Sequence, residues 1–425
     1  MPRRDVAQGP VRGEDNGREA VKASITAVAM RSTIHNGHVL GAAGFLAPVL
    51  GVYAPRSLAA LLVVATVAAI ALRRAKGEAW PVPRQRVASI LALALVWALV
   101  SVTWGIEAKT VALSGIARLT LVVVCGLVLH QIATELGTHE RDTVRRWLVA
   151  GFVLALALLS VDRVSGAAIR RLFPMSPALE NPLFVMENFN RGASVLVLLS
   201  FPVALALWRV KAAYAVAAWA ACFILAFTLP SGSARLAIVA GGLAACCAWI
   251  APRVTTRSAT VLLAAIVLAA PLLASAIPPP DKLPTTTELP ISNSGHHRLQ
   301  IWRFAADRIA ERPITGWGYD SSRVIPGGNE NLASAEPALP LHPHNAMLQW
   351  WLELGLPGGL IGAIVLAAIA LTLGQQPTRP AIAAATGQLV AAFTMANLSF
   401  GIWQGWWVAV LILSAAMAAT VRDER

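Results

Sequence analysis

Apolar residues run almost unbroken along most of the chain, and polar punctuation divides them into stretches of membrane-crossing length. A spanning helix takes about 20 mostly apolar residues. The runs 38–54, 57–73, 88–105, 116–134, 146–162, 192–208, 212–229, 235–251, 259–277, 346–373, 380–398 and 402–420 fit that rule. These runs predict an all-α polytopic membrane protein of about twelve spans, with both chain ends on one side. A polar segment, 163–191, separates runs five and six, and a longer one, 278–345, separates runs nine and ten. Within the longer one, HHRLQIWRFAADRIAERPITGWG sets Leu299, Trp302, Ala306 and Ile309 at spacings of three and four, with Arg303, Asp307 and Glu311 off the stripe. That spacing predicts an amphipathic surface helix over the membrane or a cavity, ended by Pro313 and followed by a GWG turn. The chain divides accordingly into a basic tail (1–37), a nine-span block (38–277), the polar segment with its surface helix (278–345), and a three-span block with the C-terminus (346–425).

Charge then orients the spans. On the tail side the short loops and the C-terminus hold Arg73, Arg74, Lys76, Arg84, Arg86, Arg141, Arg145, Arg146, Arg209, Lys211, Arg253, Arg257, Arg379, Arg422 and Arg425. The opposite short loops hold only Arg56, Lys109, Arg118 and Arg235. Basic loops face the cytoplasm, so both termini are expected there and both long polar segments outside. The net charge of +13 is thereby a topological signal, and nucleic acid is not expected as a partner. Composition agrees: 56% of residues are hydrophobic and 13% charged, with a mean hydropathy of +0.63. The four cysteines, Cys125, Cys222, Cys246 and Cys247, all lie in apolar runs and offer neither a disulfide framework nor a thiolate metal site.

Three polar features fall on the outer side. NFNRGAS (188–194) places Arg191 at the start of run six, PSGSARLA (230–237) places Arg235 at the start of run eight, and HPHN places His342, His344 and Asn345 at the start of run ten. If each begins an inward helix, the helix N-terminus adds free N–H groups and a positive end. Arginine at such a place is either an anchor to lipid headgroups or a phosphate ligand. Arginine is scarce in the outer short loops, which favours a pyrophosphate as the partner of the pair. For His344 three readings stand: a headgroup hydrogen bond, a metal site with His342, His296 and His297, or a general base kept neutral by nearby cations. Glu353 lies on the opposite helix face from His344 and is left unpaired by periodicity. Trp403, Trp406 and Trp407 in GIWQGWW read as an interfacial aromatic belt. The outer face has no DxD pair, and the chain has no P-loop or nucleophile elbow, so nucleotide-driven chemistry is not expected.

The stretch His344-Asn345, nine residues, then Gly355-Leu-Pro-Gly358-Gly359 resembles the signature of the bacterial O-antigen ligase family, a histidine and amide followed after nine residues by G-x-x-G. NFNRGAS, SGSARLA and the surface-helix segment are similar to other parts of those proteins, so the resemblance runs over roughly residues 38–420. It implies a GT-C-like glycosyltransferase of the Gram-negative inner membrane. Such an enzyme moves O-antigen from undecaprenyl pyrophosphate to lipid A-core on the periplasmic face, inverting the sugar, with no metal or other cofactor. His344 would then be the base, Arg191, Arg235 and, more weakly, Arg298 would hold the pyrophosphate, and His342, Asn345, Gly355 and Gly358 would support the site. O-antigen polymerase and protein O-oligosaccharyltransferase are neighbouring alternatives within the superfamily. A lipid or oligosaccharide transporter is the alternative of a different class, to which Glu353 and the glycine break in run ten would be the pointers.

Overall fold

Each of the twelve apolar runs folds as a helix, and the surface helix makes a thirteenth. The computed structural model describes residues 34–83, 85–172, 182–279, 282–283, 292–331 and 336–422. Most of the basic tail and parts of both long polar segments therefore lie outside the described residues. In chain order the long helices among the described residues are Asn36–Tyr53 (α1), Leu58–Ala75 (α2), Gln85–Ser101 (α3), Lys109–Glu135 (α4), Thr138–Ser165 (α5), Pro182–Trp208 (α6), Ala212–Thr228 (α7), Gly232–Ile250 (α8), Pro252–Ser275 (α9), Asn293–Glu311 (α10), Ala346–Leu373 (α11), Arg379–Ala396 (α12) and Gly405–Val421 (α13). Among the described residues the only extended pairing is an isolated bridge between Asn331 and Pro337.

Seven segments are long and apolar enough to cross a membrane by those criteria alone: Pro55–Ala75, α4, α5, Phe189–Trp208, α8, α9 and α11. The other five expected spans fall short of that test. α3, α7 and α13 have 17 residues each, and α1 and α12, at 18, are diluted by polar ends and internal polar or glycine positions.

The main core gathers side chains from α1, α2 and α4 to α8 with α12 and α13. Small residues let backbones approach, as membrane helices require when apolar burial gives no net drive between them. At the α8–α12 contact a Cβ on Gly241 would stand 2.7 Å from the Gly387 carbonyl oxygen. At one end of the bundle Arg73 pairs with Glu135 at 2.6 Å, and Arg141 donates to the Leu136 and Ala419 carbonyls at the end of α13. The candidate site lies at the other end, where α13 begins.

A second core at that end joins Ala270 and Ala274 of α9, Ile301, Ala306 and Ile309 of α10, Trp317, and Leu348, Trp351 and Leu352 of α11. The surface helix starts at a Ser292 cap, whose hydroxyl accepts from Gly295 N at 3.1 Å, and ends before Pro313. Its buried face is turned from the expected stripe: Ile301, Ala305, Ala306 and Ile309 are buried, whereas Leu299 and Trp302 are half-buried. The reason is packing. That face lies on α9 and α11, and the Trp302 indole points instead to the Pro343 carbonyl at 3.0 Å.

α11 has 28 residues, roughly 42 Å at 1.5 Å per residue, and so exceeds a hydrocarbon core of about 30 Å. It is broken at Gly355, where φ 64° and ψ −157° leave the helix. The GWG turn docks in the break: Trp317 N donates to Leu352 O at 2.9 Å and Gly318 N to Glu353 O at 2.8 Å, while Leu356 N donates back to Pro313 O at 2.9 Å. The Trp97 indole takes the Leu354 carbonyl at 2.9 Å. The carbonyls freed by the break are thus satisfied within the protein, the condition for irregular backbone at membrane depth.

Candidate active site

The chain enters α11 through HPHN, and each residue of that motif is held by a different neighbour. Asn345 is the N-cap, its Oδ1 accepting from Leu348 N at 3.1 Å, and the next free N–H, of Met347, goes to Asn397 Oδ1 at the end of α12 at 3.0 Å. Trp302 holds Pro343. His344 sits at φ 52°, a left-handed conformation that costs a non-glycine residue about 1 kcal/mol or more. Its N–H donates to His342 Nδ1 at 3.1 Å, which fixes that turn, and the two rings lie 4.3 Å apart.

The side chains of the two histidines differ in what they leave open. His344 Nδ1 stands 2.6 Å from the Ser399 carbonyl oxygen in the loop between α12 and α13. A carbonyl only accepts, so Nδ1 carries the proton and Nε2 keeps its lone pair. His342 is 5% exposed, and both its nitrogens are occupied, Nδ1 by the His344 N–H and Nε2 by the Gln404 amide at 3.2 Å. Gly401 presses on its ring, where a Cβ would stand 2.9 Å from His342 Cδ2. Burial, chiefly, drives the His344 pKa down to about 4; the Ser399 carbonyl opposes this, and Arg298 and His297 add to it. Burial, with His344, Arg323 and Arg298, takes His342 down to about 3. Both rings are neutral at ordinary pH.

The arginines prove unequal. Arg298, on the first turns of α10, acts electrostatically on both histidines, and its half-buried guanidinium has no hydrogen bond or ion pair with the described residues. Burial lowers its pKa. Arg191 lies 5.9 Å above the Trp406 ring, Trp406 donates to Gln404 Oε1 at 3.0 Å, and Gln404 meets His342, so Arg191 joins the site through two side chains. It does not begin a helix: α6 starts at Pro182, which places Arg191 more than two turns inside. Arg235 does stand in the first turn of its helix, yet one of its N–H groups goes to the Leu229 carbonyl at 2.6 Å, beside the Thr228 carbonyl that Arg163 takes at 2.7 Å. These two cations cap the C-terminal end of α7. Arg163 escaped sequence reasoning because its segment carries no motif.

The tryptophans expected as an interfacial belt are largely interior instead. Trp407 is fully buried, Trp406 is 9% exposed, and the Trp403 indole donates to Glu353. Glu353 itself is fully buried. It accepts from Ser322 Oγ at 2.5 Å, Asp320 N at 2.6 Å, Gln349 Nε2 at 3.0 Å and Trp403 Nε1 at 2.5 Å. Gly358 and Gly359 are close-packing positions, where a Cβ would meet Leu354 Cβ and Trp351 Cε2 at 2.4 Å. Glu353 and the glycine break, the two pointers to a transporter, are therefore both engaged by neighbouring backbone and side chains. His297 bonds Glu336 at 2.8 Å and the Pro337 carbonyl at 2.9 Å. Among the described residues no group of three or more His, Cys, Asp or Glu is arranged to hold a metal ion.

The segment that carries this site is similar to proteins of a known family. Residues 181–363 match the family model described as O-antigen ligase, a segment that contains Arg191, Arg235, Arg298, His342, His344, Asn345, Gly355 and Gly358. A provisionally named polysaccharide ligase of Rickettsia conorii is 23% identical over 317 residues, covering 73% of this chain and 74% of the relative. Similarly named proteins of Rickettsia felis and Rickettsia prowazekii are 25% and 24% identical, and the matches span 65% and 64% of their lengths. Together the family model and these relatives support the O-antigen ligase family for this chain, the family its sequence resembles.

Proposed function

We propose that this chain is an O-antigen ligase. It transfers O-antigen polysaccharide from undecaprenyl pyrophosphate to lipid A-core oligosaccharide at the periplasmic face of a Gram-negative inner membrane. In this reading all twelve long hydrophobic helices cross the membrane, both termini are cytoplasmic, and the scaffold is of the GT-C kind. The observation that carries the reading is the pairing of His344 with Ser399, which leaves Nε2 as an open lone pair beside the uncompensated Arg298.

The acceptor hydroxyl gives its proton to His344 Nε2 as its oxygen bonds the anomeric carbon of the donor sugar. The bond from that carbon to the pyrophosphate oxygen breaks on the opposite face, which inverts the centre. Undecaprenyl pyrophosphate leaves with the electron pair, and Arg298, Arg191 and Arg235 supply positive charge where negative charge grows. The Ser399 carbonyl accepts from Nδ1 throughout and so favours the imidazolium that forms. Burial, with Arg298 adding to it, keeps the free enzyme's histidine neutral; a bound pyrophosphate offsets that cation and makes the ring a stronger base when substrate is present.

The test is ligation by purified protein in detergent with lipid-linked O-antigen and lipid A-core, EDTA present. The wild type should form product, His344→Ala should not, and His342→Ala should retain part of the activity. A wild type that instead elongates the donor would make it a polymerase, and one that forms no glycosidic bond would overturn the reading.

A further inference from the structure

We propose that Glu353 is a positioning residue for His344, acting through the loop between α12 and α13. The proposal rests on the reading of His344 as the base and goes beyond it, since Glu353 is fully buried and cannot touch a substrate. Four donors from three separate segments converge on its two oxygens. Asp320 N and Ser322 Oγ come from the turn after GWG, Gln349 from one helical turn earlier in α11, and Trp403 from the α12–α13 loop. Gln349 extends the grip, because its Oε1 accepts from Ile402 N at 3.0 Å. Two consecutive residues of the loop, Ile402 and Trp403, are thereby tied to α11.

The same short loop makes three of the contacts that set the histidine pair. Ser399 presents its carbonyl to His344 Nδ1, Gly401 packs against the His342 ring, and Gln404 meets His342 Nε2. Ile402 and Trp403 lie between those contacts, so the position of the Ser399 carbonyl depends on where Glu353 holds them. Asp320 adds a second sign of constraint: it sits at φ 56°, left-handed like His344, and its N–H is one of the groups Glu353 accepts. A carboxylate is suited to this place because both oxygens accept, whereas an amide of the same shape turns one donor pair into a donor facing a donor. Loosening the loop lets water reach His344, whose charged surroundings are His342, Arg298 and His297.

The test compares wild type, Glu353→Gln and Trp403→Phe, the last removing one donor while leaving the carboxylate. Two readouts are taken. One is the pH dependence of kcat and KM in the ligation assay. The other is the pH dependence of diethylpyrocarbonate labelling at His344, read by peptide mass spectrometry, which needs no activity. The expected result is a kcat lower by about tenfold or more with KM for the donor nearly unchanged, since misplacement of a base costs rate rather than binding. The labelling midpoint of His344 should rise toward the ordinary histidine range in both variants. Unmoved midpoints in both variants would overturn the proposal, whatever happens to the rate. If Glu353→Gln does not fold, Trp403→Phe decides alone. A wild type without ligation product would overturn the functional reading, and the labelling would still test the coupling.

Discussion

His344 Nδ1 and the Ser399 carbonyl oxygen, 55 residues apart in sequence, lie 2.6 Å from each other. This contact selects the tautomer, and the tautomer separates the two histidines. With Nε2 open, His344→Ala removes the proton acceptor and should lower kcat by roughly 10²–10⁴-fold, the usual weight of a general base. His342→Ala removes the acceptor of the His344 N–H and frees a left-handed turn, so it should lower both thermal stability and rate but leave measurable turnover. Equal loss of activity in two folded variants would contradict the assignment.

The pH dependence has a definite sign. In the free protein the His344 pKa is pushed down to about 4, so the acid limb of kcat/KM should lie well below the ordinary histidine value of 6.5. A bound pyrophosphate opposes Arg298 and raises the pKa again, so the acid limb of kcat, which reports the bound complex, should lie at higher pH than that of kcat/KM. Coincident limbs would show that the anion does not sit beside this ring.

Stability should follow the same two rings. With folded-state values of about 4 for His344 and about 3 for His342 against 6.5 unfolded, the unfolded chain binds more protons as pH falls below 6.5. Their contribution is therefore flat above that pH, declines as pH drops toward 4 and then 3, and levels off below. Melting temperatures in detergent between pH 7 and 4 should fall less steeply in a His342→Ala, His344→Ala double variant than in the wild type.

Gly355 and Gly232 form a paired test of the broken helix. At Gly355 the backbone has φ 64°, and a Cβ would stand 2.1 Å from the Ile314 carbonyl oxygen, so Gly355→Ala both strains the residue and ejects the docked GWG turn. A loss of several kcal/mol is expected. Around Gly232, in the first turn of α8, nothing lies within 4 Å, and Gly232→Ala should be neutral or stabilise by about 0.5–1 kcal/mol. Thermal melts of the two variants read the difference directly.

Hydropathy located every long apolar helix among the described residues and the polar end on which the candidate residues gather, because the cost of exposing backbone to lipid leaves few other options for such runs. It could not say which faces were interior. Lipid and protein core are equally apolar, so Trp407, read as a belt residue, is fully buried, and the α10 stripe is turned toward α9 and α11. Helix starts were less legible still: α6 begins nine residues before Arg191, which removes the helix end expected to support that cation. HPHN was visible as a motif, but its pairing with Ser399, Gln404 and Trp302 was not. They belong to other segments, and nothing local in their sequence marks them as its partners.

The three arginines should separate when substituted, because their surroundings differ. Arg235 uses one N–H on the Leu229 carbonyl at the end of α7, so Arg235→Ala removes a cap and should lower the melting temperature by an amount corresponding to about 1 kcal/mol. Arg298 has no acceptor among the described residues, so Arg298→Ala relieves an uncompensated half-buried charge and should leave stability unchanged or higher. Its cost should appear elsewhere, as a fall in kcat/KM for the lipid-linked donor together with a small rise in the acid limb, since burial still holds the His344 pKa down but the cation that adds to it is gone. Arg298→Lys keeps the charge and should keep the limb low while losing the forked geometry that suits a phosphate. Arg191 lies on a tryptophan ring that connects to His342 through Gln404, and it is not among the groups that shift the His344 pKa, so its removal should weaken activity without moving that limb. A shift of the limb on removing Arg191 rather than Arg298 would reverse their places in the site.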